Sequence, residues 1–248
     1  MLYSIRKNCG RNEKMAEKIK TPCLEEALCR IRNNYCRILL FGASNTEKFM
    51  VQTHWSDVLE VGLRCRFGRN FHIINSGVCG NNTREALARF DRDVAAFSPD
   101  IVIITFAGND CNPDPAKFVS GEEFAGNLTK IVEKVRSLGA IPILQTYYKN
   151  DASAMEVERA AGFRKYQEII RETAAGNKVL LVDQYRYFSL LPLHTLRYKL
   201  LHDPMHLNEY GNTLMGVILL HHFQCDPRNI PDNEKLLPAM ELYKKIAE

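Results

Sequence analysis

The chain has 248 residues, 46% of them hydrophobic and 25% charged, an ordinary globular composition with length enough for one substantial core. Its net charge of +4 is spread along the chain, with no block of like charges and no basic stripe interleaved with aromatics, which argues against a nucleic-acid or membrane partner. No run of about 18 apolar residues occurs, and the eight cysteines include no C-x-x-C pair, so reduced thiols are expected and structural zinc is not.

The first twenty residues lack the apolar segment of a secretory signal, which predicts a soluble protein that stays in the cytoplasm. Thr21 and Pro22 then open a helix as cap and first-turn residue, with Leu24, Leu28 and Ile31 on one face. Five apolar runs follow: Arg37 to Phe41, Phe71 to Ile74, Ile101 to Phe106, Ile141 to Thr146, and Val179 to Val182. They are continuous, as strands covered on both faces should be.

Helical patterns lie between these runs. Trp55, Leu59 and Leu63 mark one apolar face; Leu87, Phe90, Val94 and Phe97 mark the next. Phe124, Leu128, Ile131, Val135 and Leu138 form a third stripe, with Gly139 in a C-terminal cap position. Phe163, Ile169 and Ile170 sit in a fourth, closed by Gly176, and a last unit runs from Asn208 towards His222. Ser120 with Glu123, and Ser153 with Glu156, have the S-x-x-E spacing of capping boxes. After Cys225 comes a connector, then a closing helix lined by Leu237, Met240, Tyr243 and Ile246. Residues 1–36 read as an N-terminal helical arm, 37–225 as the main domain, and 226–248 as a C-terminal connector and helix. The arms pack either on the domain or on a second subunit, which leaves a homo-oligomer open.

This β-α-β-α alternation implies a parallel sheet with right-handed crossovers and helices on both faces. In such open sheets, ligand sites gather beyond the carboxyl ends of the strands. There the sequence places "GASNT" (42–46), "NSGVCGNNT" (75–83) and "AGNDCN" (107–112), with "HDPMH" (202–206) late in the chain. Ser44 has two readings. With Glu47 it has the spacing of a capping box. It is also the hydroxyl of a set that serves acyl transfer. A serine oxygen attacks once a neutral imidazole takes its proton, and a carboxylate holds that imidazole in one tautomer. His206 suits the base and Asp203 its orienter, with His202 a weaker rival. The Ser44 amide, the Gly80 amide and the Asn109 carboxamide suit an oxyanion hole, in which each donor is worth roughly 3 kcal/mol. Glycine at 80 permits close backbone approach, and asparagine at 109 donates without a charge.

These four blocks, in this order, resemble the SGNH hydrolases, also called the GDSL esterase/lipase family, over about Arg37 to His222. "FGASNT" corresponds to G-D-S-x-T, "NSGVCGNNT" to N-x-G-x-x-G-x-T, "AGND" to G-x-N-D and "DPMH" to D-x-x-H. The resemblance implies Ser44 as nucleophile, Asp203 and His206 completing the triad, and Gly80 and Asn109 as oxyanion donors. It also implies a flavodoxin-like three-layer α/β/α sandwich whose five-stranded parallel sheet runs in the order 2-1-3-4-5. Ala43 stands where the family has aspartate, which bears on the hydrogen bonding of the loop more than on the reaction.

The expectation is a hydrolase of a small carboxylic ester, acetyl or short acyl and possibly on a carbohydrate, working without metal or cofactor. An acyltransferase using the same acyl-serine, and a non-catalytic binding module that kept the fold, are the alternatives. Asn45, Tyr147 and Tyr148 are candidates for the substrate pocket, with core packing equally open for the two tyrosines. Cys79 and Cys111 read as small buried fillers.

Overall fold

The computed structural model describes residues 22–48 and 51–247. Strands β1 (Cys36–Gly42), β2 (Phe71–Gly77), β3 (Ile101–Thr105), β4 (Ile141–Gln145) and β5 (Leu180–Val182) form one all-parallel sheet in the order β2-β1-β3-β4-β5. β1, β3 and β4 are almost wholly buried, which is why their sequences are unbroken apolar runs. Among the described residues β2 pairs only with β1, and it is half exposed, so covering on both faces does not extend to this edge.

The helices are α1 (Pro22–Asn33), α2 (Ser44–Glu47), α3 (Trp55–Phe67), α4 (Thr83–Asp93), α5 (Gly121–Ser137), α6 (Val157–Gly176), α7 (Gln184–Ser189), α8 (Leu193–Thr195), α9 (Glu209–His222) and α10 (Leu237–Ala247). The chain leaves β1 for β2 on one side and reaches β3 on the other, so the strand order reverses at β1. That reversal opens a crevice at the carboxyl ends of β1 and β3. Its floor is aromatic: Phe41 meets Phe90 and Phe106 edge-on, with centroids 6.0 and 5.2 Å apart. Each such buried ring contributes about 2–3 kcal/mol. Both flanking helices join this core, since Ala27, Leu28 and Ile31 of α1 and Ala239, Tyr243 and Ile246 of α10 belong to the same buried cluster. Arg30 secures α1 by donating to the carbonyls of Gly139 and Asp100. Thr21 and the side chain of Leu24 lie outside the described residues. No helix among the described residues is long and apolar enough to cross a membrane.

Several boundaries differ from the sequence expectation. Phe97 is exposed, because α4 stops at Asp93 and a short 3-10 turn, Ala95–Phe97, ends in left-handed Ser98. Leu138 is also exposed, although Gly139 does supply the positive φ of a cap. Gly176 is the last helical residue of α6, and the left-handed residue is Lys178. Ser120 does cap α5, accepting from Glu123 N, but the Glu123 carboxylate pairs with Arg84 instead of folding back. Ser153 caps nothing in α6: its hydroxyl bonds Asp151, and Glu156 precedes the helix.

Candidate active site

Ser44 follows β1 directly and is the first residue of the single turn α2, with Ala43 before it and no side-chain cap. A capping residue must precede the helical dihedrals for its oxygen to reach the following amides. Ser44 already has them, so the capping-box reading does not hold here. The Glu47 carboxylate instead accepts from the Cys79 amide at 2.7 Å. The hydroxyl of Ser44 lies 3.1 Å from His206 Nε2.

His206 and Asp203 sit on the 202–206 loop, closed at its base by an antiparallel bridge between Leu201 and Leu207. Asp203 Oδ1 accepts from the amides of Met205 and His206 at 2.7 and 2.8 Å, and Oδ2 lies 2.8 Å from His206 Nδ1. Burial pushes this carboxyl up, but the Met205 amide and the His206 side chain and amide outweigh it and hold it below its ordinary value. An ionised carboxylate only accepts, so Nδ1 carries the proton and Nε2 presents a lone pair to Ser44. The loop is braced from the side. Asp151 N donates to the Pro204 carbonyl at 3.2 Å, and the buried Asp151 carboxylate is gripped by Arg197, which lowers it to about 2. His202 is exposed and touches the loop through its backbone amide, which donates to the His206 carbonyl.

The expected oxyanion donors lie on the loops after the carboxyl ends of β1, β2 and β3. Ser44, as the first residue of a turn, has no carbonyl four residues back for its amide. Gly80 adopts φ +77°, a conformation that glycine takes freely. Asn109 Nδ2 donates to the Asn81 carbonyl at 2.8 Å, which fixes the carboxamide beside Gly80 while one of its two hydrogens stays available. Gly77 explains the N-x-G spacing of this block. A Cβ there would lie 2.2 Å from Glu47 N, so only glycine lets the end of β2 abut the serine turn.

Asn45, Tyr147 and Tyr148 are brought to the site, but as an internal network. Both tyrosines are buried, so neither offers an open stacking wall. Tyr148 Oη lies 2.6 Å from the Asn45 carboxamide and 2.5 Å from the Met205 carbonyl. The Asn45 carbonyl accepts from Trp55 Nε1 at 2.7 Å and faces His54 Nε2 at 3.1 Å. Cys111 is buried and its thiol is pushed up to about 12 by burial, whereas Cys79 is exposed and so is not a core filler. Among the described residues, no three His, Cys, Asp or Glu side chains cluster to hold a metal.

Two contributors have tasks that the sequence did not show. Arg89 of α4 is buried over the Phe41 ring and donates to the Gly42 carbonyl, the Ser76 carbonyl and Asn81 Oδ1 at 2.7–2.9 Å. It thereby joins the ends of β1 and β2 to the Gly80 loop. Asp110, fully buried, accepts from both the amide and the hydroxyl of Thr83 at 2.8 and 2.6 Å, tying the β3 loop to the start of α4. Burial raises its carboxyl to about 6 against those hydrogen bonds. The D of the "AGND" block marked its position but not this task.

The sheet order and this array place the molecule in the SGNH class of ester hydrolases. The sequence pattern of the GDSL-like Lipase/Acylhydrolase family matches residues 40–214, and the chain belongs to that family. It is 28% identical over 180 residues to the uncharacterized lipoprotein YqeF of Bacillus subtilis (strain 168), covering 62% of this chain and 72% of that one. Its fold is similar to a catalytic mutant of the acetylxylan esterase Axe2 from Geobacillus stearothermophilus, with TM-score 0.67, 20% identity, and 78% and 96% of the two chains covered. It is likewise similar to the lipase/acylhydrolase from Enterococcus faecalis, with TM-score 0.66, 24% identity, and 77% and 98% covered.

Proposed function

We propose that the protein hydrolyses a small carboxylic ester through an acyl-serine intermediate. The observation that carries this reading is the series Ser44 Oγ, His206 Nε2, His206 Nδ1 and Asp203 Oδ2, linked at 3.1 and 2.8 Å. In this reading His206 takes the Ser44 proton as Oγ attacks the ester carbonyl. The Ser44 and Gly80 amides and the Asn109 carboxamide receive the developing oxyanion. His206 then returns the proton to the departing alcohol, and water activated by the same imidazole releases the acid. A short acyl group is favoured by the packing beside the donors. A Cβ at Gly108 would meet Tyr147 Cε1 at 3.3 Å and Met205 Cε at 3.5 Å, so apolar side chains already fill that ground. An acetyl ester, possibly on a carbohydrate, is the substrate class we assign, in line with the acetylxylan esterase whose fold it shares.

Incubation with a serine-reactive phosphonate followed by mass spectrometry tests the reading. Labelling is expected at Ser44, lost in Ser44→Ala and His206→Ala and kept in His202→Ala. Hydrolysis of p-nitrophenyl acetate is expected to exceed that of long-chain esters. No adduct together with no hydrolysis of any short ester would leave a binding module as the better account.

A further inference from the structure

The Ser44 turn and the His206 loop come from opposite ends of the domain, 162 residues apart, yet must hold Oγ and Nε2 at 3.1 Å. Besides that contact, a side-chain route joins their immediate neighbours: Asn45 follows Ser44, Met205 precedes His206, and Tyr148 Oη touches both. A phenol has one proton and cannot serve two oxygens. The contacts close when the Asn45 carboxamide gives its NH2 to Tyr148 Oη, and Oη donates to the Met205 carbonyl. Tyr147 also hydrogen-bonds this side chain. Each member has a donor and an acceptor in place, an arrangement in which hydrogen bonds reinforce one another. The far end is fixed as well, because Trp55 and His54 hold the Asn45 carbonyl. Burial, with Tyr147 alongside, raises the Tyr148 phenol well above its ordinary pKa, so the proton that the brace requires stays on.

From this geometry we infer that Asn45 and Tyr148 are positioning residues, a brace that sets the distance between the Ser44 hydroxyl and the His206 imidazole. This rests on the esterase reading above and assigns the two residues to alignment of the attacking pair, not to contact with substrate. A displacement of about 1 Å between reacting groups costs on the order of 100-fold in rate. Loss of the brace therefore falls on kcat, while KM, set by contacts elsewhere, changes little.

The test compares wild type, Asn45→Ala, Tyr148→Phe and the double variant with p-nitrophenyl acetate, alongside phosphonate labelling of Ser44. Each single variant is expected to lose about 10-fold or more in kcat, with KM within about two-fold. The double variant is expected to be no worse than the poorer single, because both cut the same chain. Tyr166→Phe is the control. It removes a buried hydroxyl bonded to the Val119 carbonyl, away from Ser44 and His206, and is expected to lower stability without changing kcat. If Tyr148→Phe does not fold, Asn45→Ala decides alone. The inference is overturned if the folded single variants keep kcat within about two-fold of an active wild type, if their losses simply multiply, or if Tyr166→Phe loses as much. A wild type that neither hydrolyses the ester nor takes the label would remove the esterase reading, and the brace with it.

Discussion

Replacing Asp203 by asparagine changes one oxygen for an NH2, and the surroundings decide which. Oδ1 faces two backbone donors, Met205 N and His206 N, at 2.7 and 2.8 Å, whereas Oδ2 faces only His206 Nδ1. Two N–H groups will not point at an NH2, so the carboxamide keeps its oxygen on the backbone side and turns its NH2 on the imidazole. Nδ1 must then accept, the ring proton moves to Nε2, and that nitrogen meets Ser44 as a donor. Recovering the reactive tautomer sacrifices one hydrogen bond and sets two donors face to face, about 2–3 kcal/mol. The imidazolium formed during attack also lacks its carboxylate, about a further 1.5–2 kcal/mol, near the low end of the range for charged hydrogen bonds because the Asp203 side chain is 39% exposed. Together these predict a fall in kcat/KM of roughly 10³-fold for Asp203→Asn. Asp203→Ala loses orientation and charge but leaves the tautomer free, and should fall by roughly 10²-fold. The truncated variant should therefore be the better enzyme, against the order that steric similarity suggests. The assay is kcat/KM with p-nitrophenyl acetate at neutral pH on variants shown to be folded. An asparagine variant within about ten-fold of wild type, or more active than the alanine variant, would refute the tautomer argument.

Two further outcomes follow from buried charges. Arg89→Met leaves the Gly42 and Ser76 carbonyls and the partly buried Asp93 carboxylate short of a donor, and should cost about 3 kcal/mol or more in urea denaturation. A loss under about 1 kcal/mol would show that the partners that remain, Val78 N for the Gly42 carbonyl and Arg92 for Asp93, are sufficient. The pH dependence turns on His54 and His222, which burial holds at about 4 against an ordinary 6.5. The folded state refuses protons that the unfolded chain accepts, so this stability is complete above about pH 6.5 and is lost as pH falls towards 4. Asp110, raised to about 6 from 3.8, works in the opposite sense over the same window and offsets part of the loss. Asp93 and Asp151, lowered to about 2, enter only below pH 4. Each histidine accounts for up to about 3 kcal/mol. Chemical denaturation at pH 7 and pH 4.5 should show a net loss in wild type and a smaller one in His222→Leu; equal losses would refute the assignment to His222.

The sheet was readable because β1, β3 and β4 are buried on both faces, which forces unbroken apolar runs, and because loops at the carboxyl edge carry polar residues that no strand needs. Asp203 and His206 were readable for a related reason: one short loop carries both groups and supplies the backbone donors that orient the carboxylate. What escaped depends on distance in the chain. Arg89 with Asp93 reads locally as a surface pair one helical turn apart, and only folding shows that the guanidinium enters the crevice to bond the Gly42 carbonyl. Tyr147 and Tyr148 follow β4 at the position of a pocket wall, but Phe163 of α6 and Phe188 of α7 pack against them and close that side. The Ser44 spacing was ambiguous because this nucleophile turn also shows the S-x-x-E of a capping box. The difference is a single residue in where the helical dihedrals begin.

Ala43 is the point at which this chain departs from G-D-S, and a loop without that carboxylate was expected to have lost hydrogen bonds. The turn is nevertheless held from several directions. Backbone does part of it: the Ala43 carbonyl accepts from Thr46 N and Glu47 N, and Val78 N donates to the Gly42 carbonyl. Side chains do the rest: Asn75 donates to the Thr46 carbonyl, Trp55 to the Asn45 carbonyl and Arg89 to the Gly42 carbonyl. The Ala43 methyl is itself buried, with 1% exposure. A carboxylate there would lose its hydration in a space that now holds a methyl group. Alanine at 43 is thus consistent with a turn fixed by its neighbours, and the orientation of Ser44 follows from those contacts without help from the side chain before it.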